Sequence, residues 1–247
     1  KAAGDEEVNV ADQIRQWAPV GFVYVLWIAL FTISQMLLNN TIEEKSNKII
    51  EVLLSSVTAH ELMMGKLLGI ASVGLTMMGA WILTLLVVLF SAQGPQLEIA
   101  GLVLQVLVSS GLIIWFLVYF VLGYFLYAGV FLAIGSLCST LKDAQNLMGP
   151  IMLAMMVPLF TMMFIPRDPN GTLATIMSWI PLYTPFVMMN RAAADPPLFD
   201  IVGTLILLTA TTALVLYGAS KVFRIGILRT GQPPRIVELW RWVTGRV

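Results

Sequence analysis

Of 247 residues, 58% are hydrophobic and only 11% are charged, with 14 Lys and Arg balancing 14 Asp and Glu. Soluble domains carry about 25% charged residues, so this composition excludes an ordinary soluble enzyme, and zero net charge gives no case for a nucleic-acid partner. A single cysteine, Cys138, excludes an internal disulfide, and a single histidine, His60, leaves no His cluster for a metal. Several uncharged runs reach the ~18–20 residues that cross a ~30 Å hydrocarbon core as helices. A membrane barrel would instead show alternating segments of ~10 residues. The expected fold class is therefore all-α, a polytopic membrane helix bundle.

Residues 1–16 are polar and acidic, and a first span is expected over about 17–38. The charged stretch 39–66 follows. Thr41 with Glu44, and Thr58 with Glu61, each match the Thr-x-x-Glu pattern in which side chains satisfy the first free N–H groups of a helix. The first is expected to start an amphipathic helix over about 41–56. Ile42, Ile49, Val52, Leu53 and Val57 mark its apolar side, and Glu43, Lys45, Ser46, Asn47, Lys48 and Glu51 its polar side. Glu44 and Lys48 can pair at i,i+4. Two readings fit this segment: an interfacial linker between spans, or a polar ridge that docks a soluble partner.

A second span is expected over about 67–91. Gly65, Gly69, Ser72 and Thr76 fall on one face of it, a spacing that suits close helix packing. A polar turn, 92–100, leads to the apolar run 102–138, which would measure about 55 Å as one helix. The expected break is at Ser109-Ser110-Gly111, leaving a crossing at about 112–138 preceded by a shorter helix. Lys and Arg gather on the cytoplasmic side of a membrane protein. One crossing by this run places ten of the fourteen Lys and Arg on one side, and two crossings only nine.

Lys142, Asp143 and Gln145 lie in a second loop of that same cytoplasmic side, before a span at about 147–165. Met148, Met152, Met155, Met156 and Met163 are expected near one side of it, as an adaptable apolar wall. In the proline-rich stretch 166–197, the apolar segment 172–190 is broken by Pro181 and Pro185 and suits a re-entrant hairpin on the outer side. The last span, about 198–222, leads to a basic tail over 224–247. There Trp240 and Trp242 among arginines suggest surface anchoring.

This arrangement puts the N-terminal end outside and the tail in the cytoplasm. Nothing before Trp17 could start translocation, so an upstream hydrophobic segment is expected. Charges within spans are almost absent, which argues against a buried carboxylate relay. The chain has no G-x-x-x-x-G-K-[ST] phosphate loop.

The stretch EEKSNKIIEVLLSSVTAHELMMGKLLG, Glu43 to Gly69, resembles the signature of type-2 ABC exporter permeases, especially the sodium-efflux-like subgroup. GSLCSTLKDAQNLMGPIMLAMMVP, Gly135 to Pro158, resembles the later cytoplasmic turn and helix of that subgroup. The resemblance implies six spans, five of them visible here, the first being followed by an extracellular domain. It implies a coupling helix at about Glu43–Ser56, with Glu43, Glu44, Lys45, Asn47, Lys48, Glu51 and Ser55 contacting a cytoplasmic ATPase. It also implies a second permease subunit, identical or paralogous, in a bacterial plasma membrane. Catalysis, ATP and Mg would belong to the ATPase, and no cofactor to this chain. A secondary transporter or channel, and a membrane assembly scaffold, are the other functions open to such a chain.

Overall fold

In a computed structural model of the chain, residues 2–109 and 111–228 are described, and among them every regular element is helical. The basic tail beyond residue 228, with Trp240 and Trp242, lies outside the described residues.

The described residues form nine α-helices in order: α1 (Ala2–Ser46), α2 (Ile49–Leu54), α3 (Ala59–Ser91), α4 (Pro95–Ser109), α5 (Leu112–Leu137), α6 (Leu141–Thr161), α7 (Thr172–Ser178), α8 (Thr184–Arg191) and α9 (Leu198–Gly226). Among the described residues, five segments are long and apolar enough to cross a membrane: Gln16–Ser46, Ala59–Ser91, Leu112–Leu137, Leu141–Arg167 and Leu198–Gly226. The apolar run 102–138 is divided at Gly111, whose φ of +61° is open to glycine at little steric cost. With 15 residues, α4 spans about 22 Å, short of the hydrocarbon thickness. Pro95 opens α4, where its missing N–H leaves no bond unmade.

Three boundaries differ from the sequence expectation. Thr41 caps no helix: its Oγ1 donates to the Leu37 carbonyl 2.7 Å away, and α1 runs on to Ser46. The helix absorbs the Thr41 hydroxyl, which bonds one turn back. The helix expected over 41–56 is thus the end of α1 plus the six-residue α2, separated by Lys48 in the left-handed conformation (φ 59°, ψ 13°). By contrast, Thr58 and Glu61 do form the reciprocal cap: Glu61 accepts from the Thr58 N–H at 2.8 Å, and Thr58 Oγ1 accepts from the Glu61 N–H at 3.3 Å. Thr140 caps α6: its Oγ1 accepts from the Asp143 N–H at 3.2 Å and its hydroxyl donates to Asp143 Oδ2 at 2.7 Å. Lys142, Asp143 and Gln145 therefore belong to the first turns of α6 rather than to a loop.

The chain forms two compact units: residues up to 29, 75–121 and 156–208 in the first, and 30–74, 122–155 and 209 onward in the second. Within the first, Ala174, Met177 and all eight residues of α8 are buried. Pro181 lies in the turn between α7 and α8, and Pro185 sits in the first turn of α8, where proline is tolerated. Within the second, the close approaches involve Gly129, Gly135 and Gly226. A Cβ on Gly135 would lie 3.2 Å from the Leu38 carbonyl oxygen and from Thr41. The small-residue face of α3 lies on exposed positions of the described residues. Gly65, Gly69, Ser72 and Thr76 are exposed, and a Cβ at Gly65 or Gly69 would meet nothing within 4 Å. The spacing was right for a helix face, but spacing alone does not say which face meets another helix. The methionines also divide. Met148 and Met155 are buried, while Met156 and Met163 are 40% and 63% exposed, because five residues spread over 16 positions drift around the helix.

Candidate functional site

Two polar clusters stand out, one in each unit. In the second unit, the last turn of α1 divides its charges by direction. Glu43, Asn47, Lys48, Glu51 and Ser55 are exposed, whereas Glu44 and Lys45 turn inward and are half-buried. Glu44 pairs with Lys66 of α3 at 2.5 Å rather than with Lys48, which the left-handed turn carries away. Lys45 Nζ donates to the Ser136 carbonyl at 2.5 Å and to the Gly226 carbonyl at 2.7 Å. Those carbonyls lie at the C-terminal ends of α5 and α9, where unsatisfied C=O groups and the helix dipole favour a cation. A Cβ on Gly226 would come within 2.8 Å of Ser136 Oγ, so glycine permits this convergence. One ammonium thereby ties three membrane-length helices together beside an exposed polar corner.

The break at Lys48 also resets the apolar face expected along 41–56. Ile50 is buried, but Ile49, Val52 and Val57 are exposed, Val52 by 71%. In the first turn of α3, His60 Nδ1 lies 3.4 Å from Ser220 Oγ of α9, with both residues on exposed positions or the rim. This distance is long for an activated nucleophile, and no carboxylate orients the ring. Lys142 and Gln145 are exposed on α6, and Asp143 is occupied with the Thr140 cap. Among the described residues no group of His, Cys, Asp and Glu could hold a metal ion.

In the first unit, Arg191 at the end of α8 is wholly buried, a charge that sequence reasoning did not single out. Its Nη2 donates to Asp200 Oδ2 at 2.6 Å and to Asn170 Oδ1 at 3.3 Å, and its Nη1 donates to Ser178 Oγ at 2.7 Å. Trp179 Nε1 donates to the other Asp200 oxygen at 3.4 Å. Asp200 sits in the first turn of α9, where a carboxylate is stabilised by the helix N-terminus. The ends of α7 and α8, the loop before α7 and the start of α9 thus meet on one ion pair. Charges within the expected spans remain few, but Asp200 at the start of the last one is buried in protein and paired with Arg191. A pair of opposite charges nine residues apart, flanking Pro196-Pro197, was the available signal.

Beside this pair, Trp179 packs over Gly203 of α9 so closely that a Cβ there would overlap the indole ring. Gly203→Ala should therefore cost about 1–3 kcal/mol, read as a lower midpoint of thermal unfolding in detergent. An unchanged midpoint would show that the indole can move aside freely.

The profile described as "ABC-2 family transporter protein" matches residues 5–221. The chain belongs to the ABC-2 transporter family. The chain is 35% identical over 216 residues to the uncharacterized protein MJ1024 of Methanocaldococcus jannaschii, covering 87% of this chain and 51% of that protein. It is 32% identical over 222 residues to the uncharacterized protein YhaP of Bacillus subtilis, covering 86% of this chain and 52% of that protein. The chain thus spans about half the length of these relatives. No solved structure matches significantly. As an ABC-2 transporter component with five membrane-length helices, it is an integral membrane protein.

Proposed function

We propose that this ABC-2 chain is the membrane-embedded part of an ATP-driven exporter permease, coupled to a separate cytoplasmic ATPase. The observation that carries this reading is the corner at α1 and α2. Glu43, Asn47, Lys48, Glu51 and Ser55 face outward, while Lys45 behind them grips the ends of α5 and α9. A partner pressing on the exposed side would act on three membrane helices at once. The concentration of Lys45, Lys48, Lys66 and Lys142 near this end supports a cytoplasmic position.

In this reading the ATPase binds ATP and Mg, and its closure moves the corner. The spans then rock between inward-open and outward-open states, and substrate leaves outward. The chain works beside a second permease subunit, identical or paralogous, and the buried hairpin α7–α8 lies on the outer side. Arg191 and Asp200 neutralise each other, so they offer no open charge for an ion to bind. That favours the exporter over an ion-coupled carrier.

The test is purification of the full-length protein in detergent together with its ATPase. Replacing Glu43, Lys48 and Glu51 together by Ala should reduce ATPase recovery at least about tenfold, since three exposed contacts worth about 0.5 kcal/mol each sum to roughly 1.5 kcal/mol. Glu98→Ala on α4 should leave recovery unchanged. A preparation that transports fully with no ATPase present would overturn the proposal.

A further inference from the structure

The first unit holds a partly open cavity of about 520 Å³ between α1, α3, α4 and α5. Trp17, Gly21 and Phe22 of α1, Trp81 of α3, Leu107 of α4 and Phe116 of α5 are among the residues that line it. All its lining residues are apolar, and their only side-chain hydrogen-bond donors are two indole N–H groups. Phe22 and Phe116 meet edge to face, with ring centroids 5.4 Å apart. Such a space offers no partners to an ion, a sugar or a lipid headgroup. It also holds water poorly, because a buried water needs 2–4 polar partners.

We infer that this cavity binds one acyl chain of a bilayer lipid. Three observations select that occupant. First, the cavity is continuous with the surface that a membrane-spanning chain presents to hydrocarbon. Trp17 and Trp81 on its wall are 46% and 37% exposed, and Leu83, Val87, Val88 and Val108 nearby are each more than half exposed. In the bilayer, the molecules bathing that surface are acyl chains. Second, the volume of about 520 Å³ lies within the range of small-ligand sites. Third, Gly21 keeps the wall open. It lies in the interior of α1, where glycine costs helix stability relative to alanine, and a Cβ added to it would meet nothing within 4 Å. The position is therefore free for a larger side chain to grow into the cavity. The inference rests on the membrane-spanning character of the chain and not on what the transporter moves.

The full-length protein in nanodiscs of phosphatidylcholine carrying a diazirine on the acyl chain provides the test. After irradiation, adducts are mapped by peptide mass spectrometry. Adducts on Trp81 and Leu107 should exceed those on Ile206 and Leu214, exposed residues of α9, by several-fold. Gly21→Leu should reduce the cavity adducts several-fold while leaving the α9 adducts unchanged. Ala18→Leu, on the same wall of the cavity, serves the same purpose should the glycine variant fail to fold. Equal labelling of the cavity and α9 in the parent protein would overturn the inference. So would unchanged cavity labelling in a well-folded filled variant. Absence of cavity adducts in the parent would also overturn it, and would indicate that a protein side chain or segment occupies the space.

Discussion

Arg191→Ala should lower the thermal midpoint of the protein in detergent by roughly 6–20 °C. Removing one member of a buried ion pair costs about 3–5 kcal/mol, because the other charge is left without compensation. For a chain of this size each kcal/mol shifts the midpoint by about 2–4 °C. Asp200 would keep only its bond from Trp179 and its place at the α9 N-terminus. Ser178 and Asn170 would lose the donors that now bridge them. The double variant Arg191→Met, Asp200→Leu should recover most of the loss, since apolar replacement of a whole buried pair is often neutral or better. A single variant that melts like the parent would show that the pair does not hold the hairpin.

Lys45→Met should separate partner binding from mechanical coupling. Hydrogen bonds to a charged group contribute about 1.5–3 kcal/mol each. Lys45 is half-buried, so losing both carbonyl bonds is expected to cost about 2–4 kcal/mol in total. The exposed residues of the corner remain in place. ATPase recovery should therefore stay within about twofold, while ATP-driven transport falls at least about tenfold, the equivalent of ~1.4 kcal/mol in the coupled step. Lys45→Arg should restore little, because a planar guanidinium cannot place its donors where a compact ammonium does. Joint loss of ATPase recovery and transport would instead place Lys45 in the binding surface.

The membrane helices were legible because hydrophobic length is a one-dimensional signal. An apolar run long enough to cross a bilayer needs few tertiary partners to announce itself, and Gly111 broke the overlong run where Ser109-Ser110-Gly111 suggested. Caps were half legible. Thr58-x-x-Glu61 and Thr41-x-x-Glu44 are the same pattern, yet only the first follows a break in the helix. The difference lies in the backbone: α1 runs on through Asn39-Asn40-Thr41 unbroken, so no free N–H groups are left there for a cap to satisfy. Faces were the least legible. Gly65, Gly69, Ser72 and Thr76 line up on α3, but the close approaches occur at Gly129, Gly135, Gly203 and Gly226, where the neighbouring element decides. The charges of the candidate corner were found from sequence, whereas their division into an exposed set and an inward pair, Glu44 and Lys45, depends on the turn at Lys48. Arg191 and Asp200 belong to the same class. Each looks like a lone charge at the edge of an apolar run until the chain brings them together.

The left-handed turn at Lys48 has a practical reach beyond the shape of the corner. Residues that tolerate this conformation are few, with glycine and asparagine foremost, and β-branched residues suffer most. Lys48→Asn therefore deletes the charge and keeps the bend, while Lys48→Val strains the bend, and together they report on the two properties separately. If recognition of the partner is electrostatic, asparagine is the damaging change; if it depends on presentation of α2, valine is. One residue in this chain can thus be used as a switch for asking whether a transporter's handle is gripped by its charge or by its angle.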